Sequence, residues 1–519
     1  MSRTSAKGGS SGSIEPYGAN PFYWQYKGEP VLLIGASGDD NPFQWAGAQF
    51  DQHFLDLMDK APGDRLSASD PENGRKLLAS HLDLLASLGG NWIRNAVFGR
   101  FRYEQNDPLC DRYPVDYQQV YEYRMVDGKY DLTRSNTAYY DRLRTFLDMT
   151  KERGIFVGLD LTDYEPWEFS PFTADLNINY AWAEVPELAR MKKEMPWGSS
   201  PFWCVGPREN AVLTSFVLKR YETLLDLTLQ YDHILYNLKN ESCCPVEISD
   251  WWCDWLHAYA AKQGKRIQLT ENRLLRPMRT YEAEYEALGY TRDGATNLQD
   301  MRLTEVSHSI VNHDRYDFVD IANTSLDSGQ RFYDDVAWFR ERVDEHKRRP
   351  VNFVKMYSTD LTGREKGGHD EAIARCYRAF FAGAAAVRLH RNGQNYGCSA
   401  GVGLSPLGQT HVKSLRMFAD AVDIFNMTPR NDLLGARGED EAYCLAEPGR
   451  QYAVYFPGLS GAGAVDLDLA SAADKALNLK WLNTAEGKWQ DAGPLPGGHP
   501  VRLAPPSPGL HWLAVLTAH

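Results

Sequence analysis

The amino-acid sequence predicts an α/β fold class, a (β/α)₈ TIM barrel followed by a small C-terminal antiparallel β-sandwich. Short apolar runs rich in β-branched residues recur eight times and are separated by longer segments with helical periodicity. The runs are apolar along most of their length, which is typical of parallel strands covered by helices on both faces. A doubly wound sheet is the alternative, but no glycine-rich phosphate loop follows the first run.

The predicted elements follow one another in strand-then-helix order. The eight strands are residues 31–36, 91–98, 155–161, 233–238, 266–270, 318–322, 351–356 and 384–389. The helices between or after them are residues 77–88, 139–153, 208–231, 249–263, 331–347, 369–381 and 409–425. Gly89, Gly154 and Gly264 follow three of these helices, because glycine readily adopts the left-handed conformation that ends a helix.

After about residue 430 the helical periodicity stops. Short strands separated by Gly/Pro-rich turns are predicted at residues 441–446, 451–456, 464–469, 477–482 and 510–516, with a proline-rich run at 494–508. The sequence therefore divides into a flexible Gly/Ser-containing tail at residues 1–19, a catalytic barrel domain at 20–430 and a β-sandwich domain at 431–519.

The composition excludes several classes of partner. The chain has 56 Lys+Arg against 69 Asp+Glu, a net charge of −13, which argues against a general nucleic-acid binder. No apolar run approaches the ~20 residues that a membrane span needs, and the N-terminus lacks the apolar segment of a secretory signal. The cysteines form no CxxC pair, so we expect reduced thiols in a cytoplasmic protein with no metal and no cofactor. A homo-oligomer is compatible with the sequence.

Functional residues of such a barrel collect at the carboxyl ends of its strands. Those positions hold Asp39, Asp40, Arg94, Asn95, Asp160, Asp163, Asn240, Glu241, Glu271, Asn272, Asn323, Lys355, Tyr357, Arg388, His390 and Arg391. Trp45 and Trp167 lie in loops after strands, where aromatic faces can stack on sugar rings. Two carboxylates in an aromatic-walled site are what glycoside hydrolysis requires. The cations would suit a uronate or a phosphorylated sugar, or would form ion pairs with the carboxylates.

Three segments resemble known carbohydrate-active proteins. Residues 235–241, LYNLKNE, end the fourth strand in an Asn-Glu pair that resembles the acid/base strand of the large clan of (β/α)₈ glycosidases. This resemblance implies that Glu241 is the general acid/base and that Asn240 contacts the sugar 2-hydroxyl. Residues 20–35 resemble the opening of apiosidase-like (DUF4038-type) barrels, and residues 383–390 and 441–457 resemble their eighth strand and their collagen-binding-type C-terminal domain. The similarity runs from about residue 20 to the C-terminus and implies a glycosidase with a carbohydrate substrate.

One departure from that clan concerns the seventh strand. The clan places its nucleophilic Glu there, whereas this strand reads RPVNFVKMY and holds Val354 or Lys355 at the expected position. A lysine cannot form a glycosyl-enzyme as a carboxylate does, although it can bind a hydroxyl or an anionic group. The candidates for the second carboxylate are, in order, Glu271, Asp163 and the Asp39-Asp40 pair, each of which also has a structural explanation as an ion-pair partner or a turn residue.

The sequence thus predicts a glycoside hydrolase that uses Glu241 as general acid/base with Glu271 or Asp163 as its partner. Two alternatives stay open. The first is a transglycosylase on the same barrel, in which aromatic loops exclude water. The second is a non-catalytic carbohydrate-binding protein, consistent with the missing carboxylate on the seventh strand.

Overall fold

The computed structural model describes residues 12–37, 42, 71–97, 122–126, 129–162, 206–208, 211–240, 246–272, 306–322, 327–358, 367–390, 401–459, 463–507 and 509–518. Within these ranges the largest sheet has eight parallel strands. They are β1 (Leu33–Ala36), β2 (Trp92–Ala96), β3 (Phe156–Asp160), β4 (Ile234–Asn237), β5 (Leu269–Thr270), β6 (Val319–Ile321), β7 (Val351–Met356) and β8 (Ala386–Leu389). Each overlaps one of the predicted strands.

The sheet is nearly closed into a barrel. Its strand order is β5-β4-β3-β2-β1-β8-β7-β6. Apart from β5 and β6, which form the two ends of the sheet, strands that follow one another in sequence are therefore neighbours in the sheet, and β1 also pairs with β8. Those ends approach each other, because the backbone N–H of Asp317 donates to the carbonyl of Leu269 at 2.7 Å. The predicted TIM barrel is confirmed, and the doubly wound alternative is wrong.

Helices connect and surround the strands. Those described are α1 (Pro71–Ser87), α2 (Thr137–Glu152), α3 (Ala211–Thr228), α4 (Val246–Lys262), α5 (Val306–Val311), α6 (Gly329–His346), α7 (Gly368–Phe381) and α8 (Pro406–Ala421). Helix α2 shows why they form where they do. The Asn136 side chain caps its first turn by accepting from Ala138 N at 3.2 Å, and Gly154, at φ +65°, follows its end. None of the described helices is long and apolar enough to cross a membrane.

A small antiparallel sheet at residues 15–31 covers the amino end of the barrel. Trp24 is fully buried there, and its indole N–H donates to Asn352 Oδ1 at 3.0 Å. Ile14 is also buried, and its N–H donates to the carbonyl of Asp232 at 2.8 Å. Glu15–Pro16 forms a strand of this sheet, so part of the segment predicted as a tail packs on the barrel. Residues 1–11 lie outside the described residues.

The C-terminal region forms two antiparallel sheets, in agreement with the predicted β-sandwich. Its strands are β9 (Thr428–Pro429), β10 (Leu434–Gly435), β11 (Tyr443–Glu447), β12 (Gln451–Phe456), β13 (Val465–Leu467), β14 (Ala476–Asn483), β15 (Lys488–Pro496), β16 (Val501–Leu503) and β17 (Trp512–Ala518). The described sheets have the orders β9-β11-β12-β17-β14-β15 and β10-β13-β16. Sequence patterns missed β15 and β16, because prolines read as turn signals. In β15 they occupy the edge of a sheet, where a missing N–H is tolerated.

Candidate functional site

A buried polar cluster lies in the interior of the barrel, from Asn352 near its amino end to Asn240 at its carboxyl end. Its members are less than one-tenth exposed, and they are Arg94, Asp160, Asn237, Asn240, Asp320, Asn352, Lys355 and Arg388. They come from or directly follow strands β2, β3, β4, β6, β7 and β8. Contacts between strands that are not neighbours in the sheet must cross the barrel axis. Asn240 after β4 contacts Arg94 of β2 and Lys355 of β7, which places these three side chains inside the barrel.

Asn240, which follows β4, is the point at which three of these strands meet. Its Oδ1 accepts from Arg94 Nη2 of β2 at 2.5 Å and from Lys355 Nζ of β7 at 3.0 Å. Its backbone N–H donates to the carbonyl of Thr162 at 2.9 Å. Two cationic donors on one amide oxygen fix the orientation of the amide, because such charge-assisted bonds are stronger than neutral ones.

Asp160, at the end of β3, balances part of the positive charge. One carboxylate oxygen accepts from Arg94 Nη2 at 2.7 Å, and the other accepts from Asn237 Nδ2 at 2.8 Å. Asn237 in turn accepts from the backbone N–H of Asn272 at 3.0 Å. Asp160 is therefore held as a structural anion beside Arg94 and Asn237.

Asp320 of β6 is a site residue that the sequence analysis missed. It is 8% exposed, and within the described part of the chain its Oδ1 has no hydrogen-bond partner. Burial raises the pKa of its carboxyl to about 7, against the lowering effect of Arg94; Asp160 raises the pKa further and Lys355 lowers it. The signal in the sequence that points to it is an Asp inside an otherwise apolar run, FVDIA.

Arg388 of β8 organises the opposite wall. Its guanidinium donates to Val354 O at 2.9 Å, to His390 Nδ1 at 3.1 Å and to Ser37 Oγ at 2.5 Å. The His390 ring packs edge-on against Tyr357, with centroids 4.4 Å apart. Because the guanidinium can only donate, Nδ1 of His390 accepts this hydrogen bond.

Gly35 permits this close packing. A Cβ at that position of β1 would lie 2.5 Å from the carbonyl oxygen of Trp92 and 3.3 Å from the Cβ of Arg388. A side chain there would displace the backbone of β2 or the side chain of Arg388. The strand that separates β2 from β8 therefore carries glycine at the level of Arg388.

Glu271 is not part of the interior cluster. It is 1% exposed, and its carboxylate accepts from Ser249 Oγ of α4 at 2.8 Å and from Tyr316 Oη at 3.5 Å. These partners place it against the helix layer behind β5, since successive side chains of a strand point to opposite faces. Asn95 is also buried and donates to the carbonyl of Ala96 at 3.1 Å.

The structure thus brings together one group around Asn240 and a second around Arg388, whereas Glu271 contacts Ser249 and Tyr316. Several predicted residues lie outside the described residues, and these are Asp39, Asp40, Trp45, Asp163, Trp167, Glu241, Asn323 and Arg391. In the described part of the chain no group of three or more His, Cys, Asp or Glu side chains could hold a metal ion. The amides, cations and hydroxyls that are described suit a ligand rich in hydroxyl or anionic oxygens.

Comparison with known proteins supports the architecture. No family model matches this chain, and no curated protein matches it in sequence. Among solved structures, it is similar to one described as a glycoside hydrolase, with 13% identity over 98% of this chain and 97% of the other, and a TM-score of 0.58. It is also similar to a glycoside hydrolase family 5 protein from Bacteroides vulgatus ATCC 8482, with 14% identity over 98% and 93% of the two chains and a TM-score of 0.58. At this identity the likeness establishes a shared fold across both domains.

Proposed function

We propose that this chain is a glycoside hydrolase that cleaves the glycosidic bond of an oligosaccharide or glycoside, with Glu241 as the general acid/base. The observation that carries the proposal is the fixed amide of Asn240, the residue directly before Glu241. Arg94 and Lys355 both bind its Oδ1, which directs the donor side of the amide away from them. A fixed amide donor beside a strand-end carboxylate is the arrangement that a sugar 2-hydroxyl and a protonated leaving oxygen require.

For the second carboxylate we place Asp163 ahead of Glu271. The carboxylate oxygens of Glu271 accept from Ser249 and Tyr316, which favours a positioning role. Asp163 follows β3. Asp160 at the end of that strand accepts from Asn237, and the carbonyl of Thr162, just after the strand, accepts from the N–H of Asn240. The Asp39-Asp40 pair after β1 is the next choice. A carboxylate separation of about 5–5.5 Å would give retention and one of about 6.5–9.5 Å inversion.

Lys355 occupies the place where the clan has its nucleophile. Its ammonium lies 3.0 Å from Asn240 Oδ1, so in this proposal it contacts a substrate hydroxyl or an anionic substituent while it holds Asn240. This lysine is also the observation that favours a second candidate function, a carbohydrate-binding protein without catalysis. The same proposal includes three further predictions, which are transfer to a sugar acceptor, kinship to apiosidase-like proteins and a cytoplasmic location.

The test is a panel of aryl glycosides, furanosides included, assayed with the wild type, Glu241→Gln, Asp163→Asn and Glu271→Gln. The matched control is Glu247→Gln, which makes the same change on the exposed first turn of α4. We expect Glu241→Gln and Asp163→Asn to lose roughly 10²- to 10⁴-fold in kcat/KM and Glu247→Gln to keep its activity. Equal turnover by Glu241→Gln and wild type would remove Glu241 from the mechanism.

Two further results separate the alternatives. Products elongated by an added sugar acceptor would favour transglycosylation over hydrolysis. Saturable binding of a sugar by a wild type that cleaves no member of the panel would favour the non-catalytic function.

A further inference from the structure

A buried ion pair joins the β-sandwich to the barrel. Arg378 of α7 is fully buried, and its guanidinium binds both carboxylate oxygens of Asp440, through Nε at 2.9 Å and Nη2 at 2.8 Å. Tyr443 Oη also donates to Asp440, at 2.6 Å. Asp440 has a φ of +54°, a conformation that non-glycine residues rarely adopt, so the surrounding contacts hold the loop before β11 in place.

The same arginine binds a second carboxylate, which lies on its own helix in the layer around the barrel. Arg378 Nη1 donates to Glu371 Oε1 at 2.8 Å, and that oxygen also accepts from the backbone N–H of Gly329 at 3.1 Å. Arg375 Nε lies 3.7 Å from it. Glu371 therefore connects α7 to the first residue of α6, and its position depends on how Arg378 is shared between two carboxylates.

Arg375 carries the connection to the carboxyl end of the barrel. It is fully buried, and it donates to the carbonyl of Tyr357 at 2.8 Å and to the carbonyl of Asp327 at 2.9 Å. Tyr357 directly follows β7 and packs against His390 at the mouth. Hydrogen bonds and one 3.7 Å ion pair, between Glu371 and Arg375, thus connect the sandwich loop to Tyr357 and Asp327.

We propose that Asp440, Arg378, Glu371 and Arg375 form an interdomain clamp through which the β-sandwich positions Tyr357 and Asp327 at the carboxyl end of the barrel. In this account the sandwich is a positioning element of the site. The inference rests on the proposed function only where it treats the Tyr357 end of the barrel as the place of substrate binding.

The charges explain why the clamp is sensitive. Arg378, Glu371 and Arg375 are buried and Asp440 is partly buried, so the position of each is set largely by the partner that offsets its charge. Without the Asp440 carboxylate, Arg378 retains Glu371 as its buried anion and draws it from Gly329 and Arg375. The carbonyl contacts of Arg375 at the mouth then loosen, although none of the mouth residues has been changed.

The test compares Asp440→Asn with Asp432→Asn in the full-length chain. Asp432 is the matched control, because Arg430 binds it at 2.7 Å on the exposed surface of the same region. The measurement is amide hydrogen exchange, without substrate, at Gly329 and residues 353–358, with β2 and β3 as internal references. We expect Asp440→Asn to raise exchange at these sites roughly 2- to 30-fold, and Asp432→Asn to leave it unchanged.

A double-mutant comparison identifies the route. Glu371→Gln should raise exchange at the same amides, and adding Asp440→Asn to it should raise exchange by less than the product of the two single effects. On a cleaved substrate Asp440→Asn should lower kcat/KM, whereas Asp432→Asn should leave it unchanged. Unchanged exchange in folded Asp440→Asn would overturn the clamp, and so would an equal rise in β2 and β3.

Should Asp440→Asn fail to fold, Tyr443→Phe removes one hydrogen bond from the same carboxylate without a change of charge. A smaller rise at the same amides supports the clamp, and no rise overturns it. The exchange readout is independent of turnover, so loss of the clamp and loss of the proposed hydrolase function give different results.

Discussion

The interiors of the barrel mouth and of the β-sandwich are equally well buried but differ in composition. The described sandwich core is apolar, built from side chains such as Val454, Leu467 and Leu516. At the mouth, Arg94, Lys355 and their neighbours are buried just as deeply. Hydrophobic burial explains the first region, whereas buried charges cost desolvation energy and are a poor source of stability. The difference shows that the sandwich core is held by apolar packing, whereas the interior polar cluster of the barrel is held by hydrogen bonds and ion pairs.

The largest effect should come from breaking the charge balance of the mouth. Asp160→Ala removes the carboxylate that lies 2.7 Å from the buried Arg94, and we expect a loss of about 3–5 kcal/mol in the free energy of unfolding. Urea denaturation of the full chain measures it. The control is Asp141→Ala, which removes the exposed 2.6 Å pair with Arg144 and should cost at most about 1 kcal/mol. Equal losses in the two variants would show that burial does not distinguish these pairs.

Acid should weaken the junction between the two regions. Burial lowers the pKa of His411 to about 4, and its Nδ1 lies 3.1 Å from Tyr377 Oη under the sandwich. The unfolded chain takes up a proton near pH 6.5 and the folded chain does not. Stability therefore falls as the pH drops from about 6.5 to about 4, by on the order of 3 kcal/mol for this group.

The variant that checks this sign is His411→Gln, which keeps a hydrogen-bonding side chain without a titrating group. Its free energy of unfolding should decline less steeply than that of the wild type across that pH interval. His499→Gln, an exposed position, should keep the wild-type slope. An unchanged slope in His411→Gln would show that His411 titrates alike in both states.

The smallest effect should come from Glu271, whose carboxylate accepts from Ser249 and Tyr316. In Glu271→Gln the amide oxygen still accepts from Ser249, so we expect kcat/KM to fall less than about 10-fold and stability to fall by about 1–2 kcal/mol. Steady-state kinetics on a cleaved glycoside measures the first quantity. A loss of 10²-fold or more would return Glu271 to the chemistry.

Sequence patterns were sufficient for the barrel strands, because apolar runs bounded by glycine and polar residues depend on local periodicity. They could not show that Arg94 and Lys355 meet on Asn240, since that contact exists only once the sheet closes. The face of the sheet to which the Glu271 side chain points could not be predicted either, because it depends on the residue at which β5 ends. Asp320 could be found from the sequence, because it is an acidic residue within an otherwise apolar strand. Glu241 and Asp163 stay predictions.

The central claim, that Glu241 protonates a leaving glycosidic oxygen, is tested most directly by varying the leaving group. The ratio of wild-type to Glu241→Gln kcat/KM is measured for two glycosides of the same sugar, one with an alkyl or sugar leaving group and one with a dinitrophenolate. Because the second needs no proton to depart, the ratio should be roughly 10²–10⁴ for the first and much smaller for the second. The same ratio for both leaving groups, or a ratio near one for the poor leaving group, would contradict the claim.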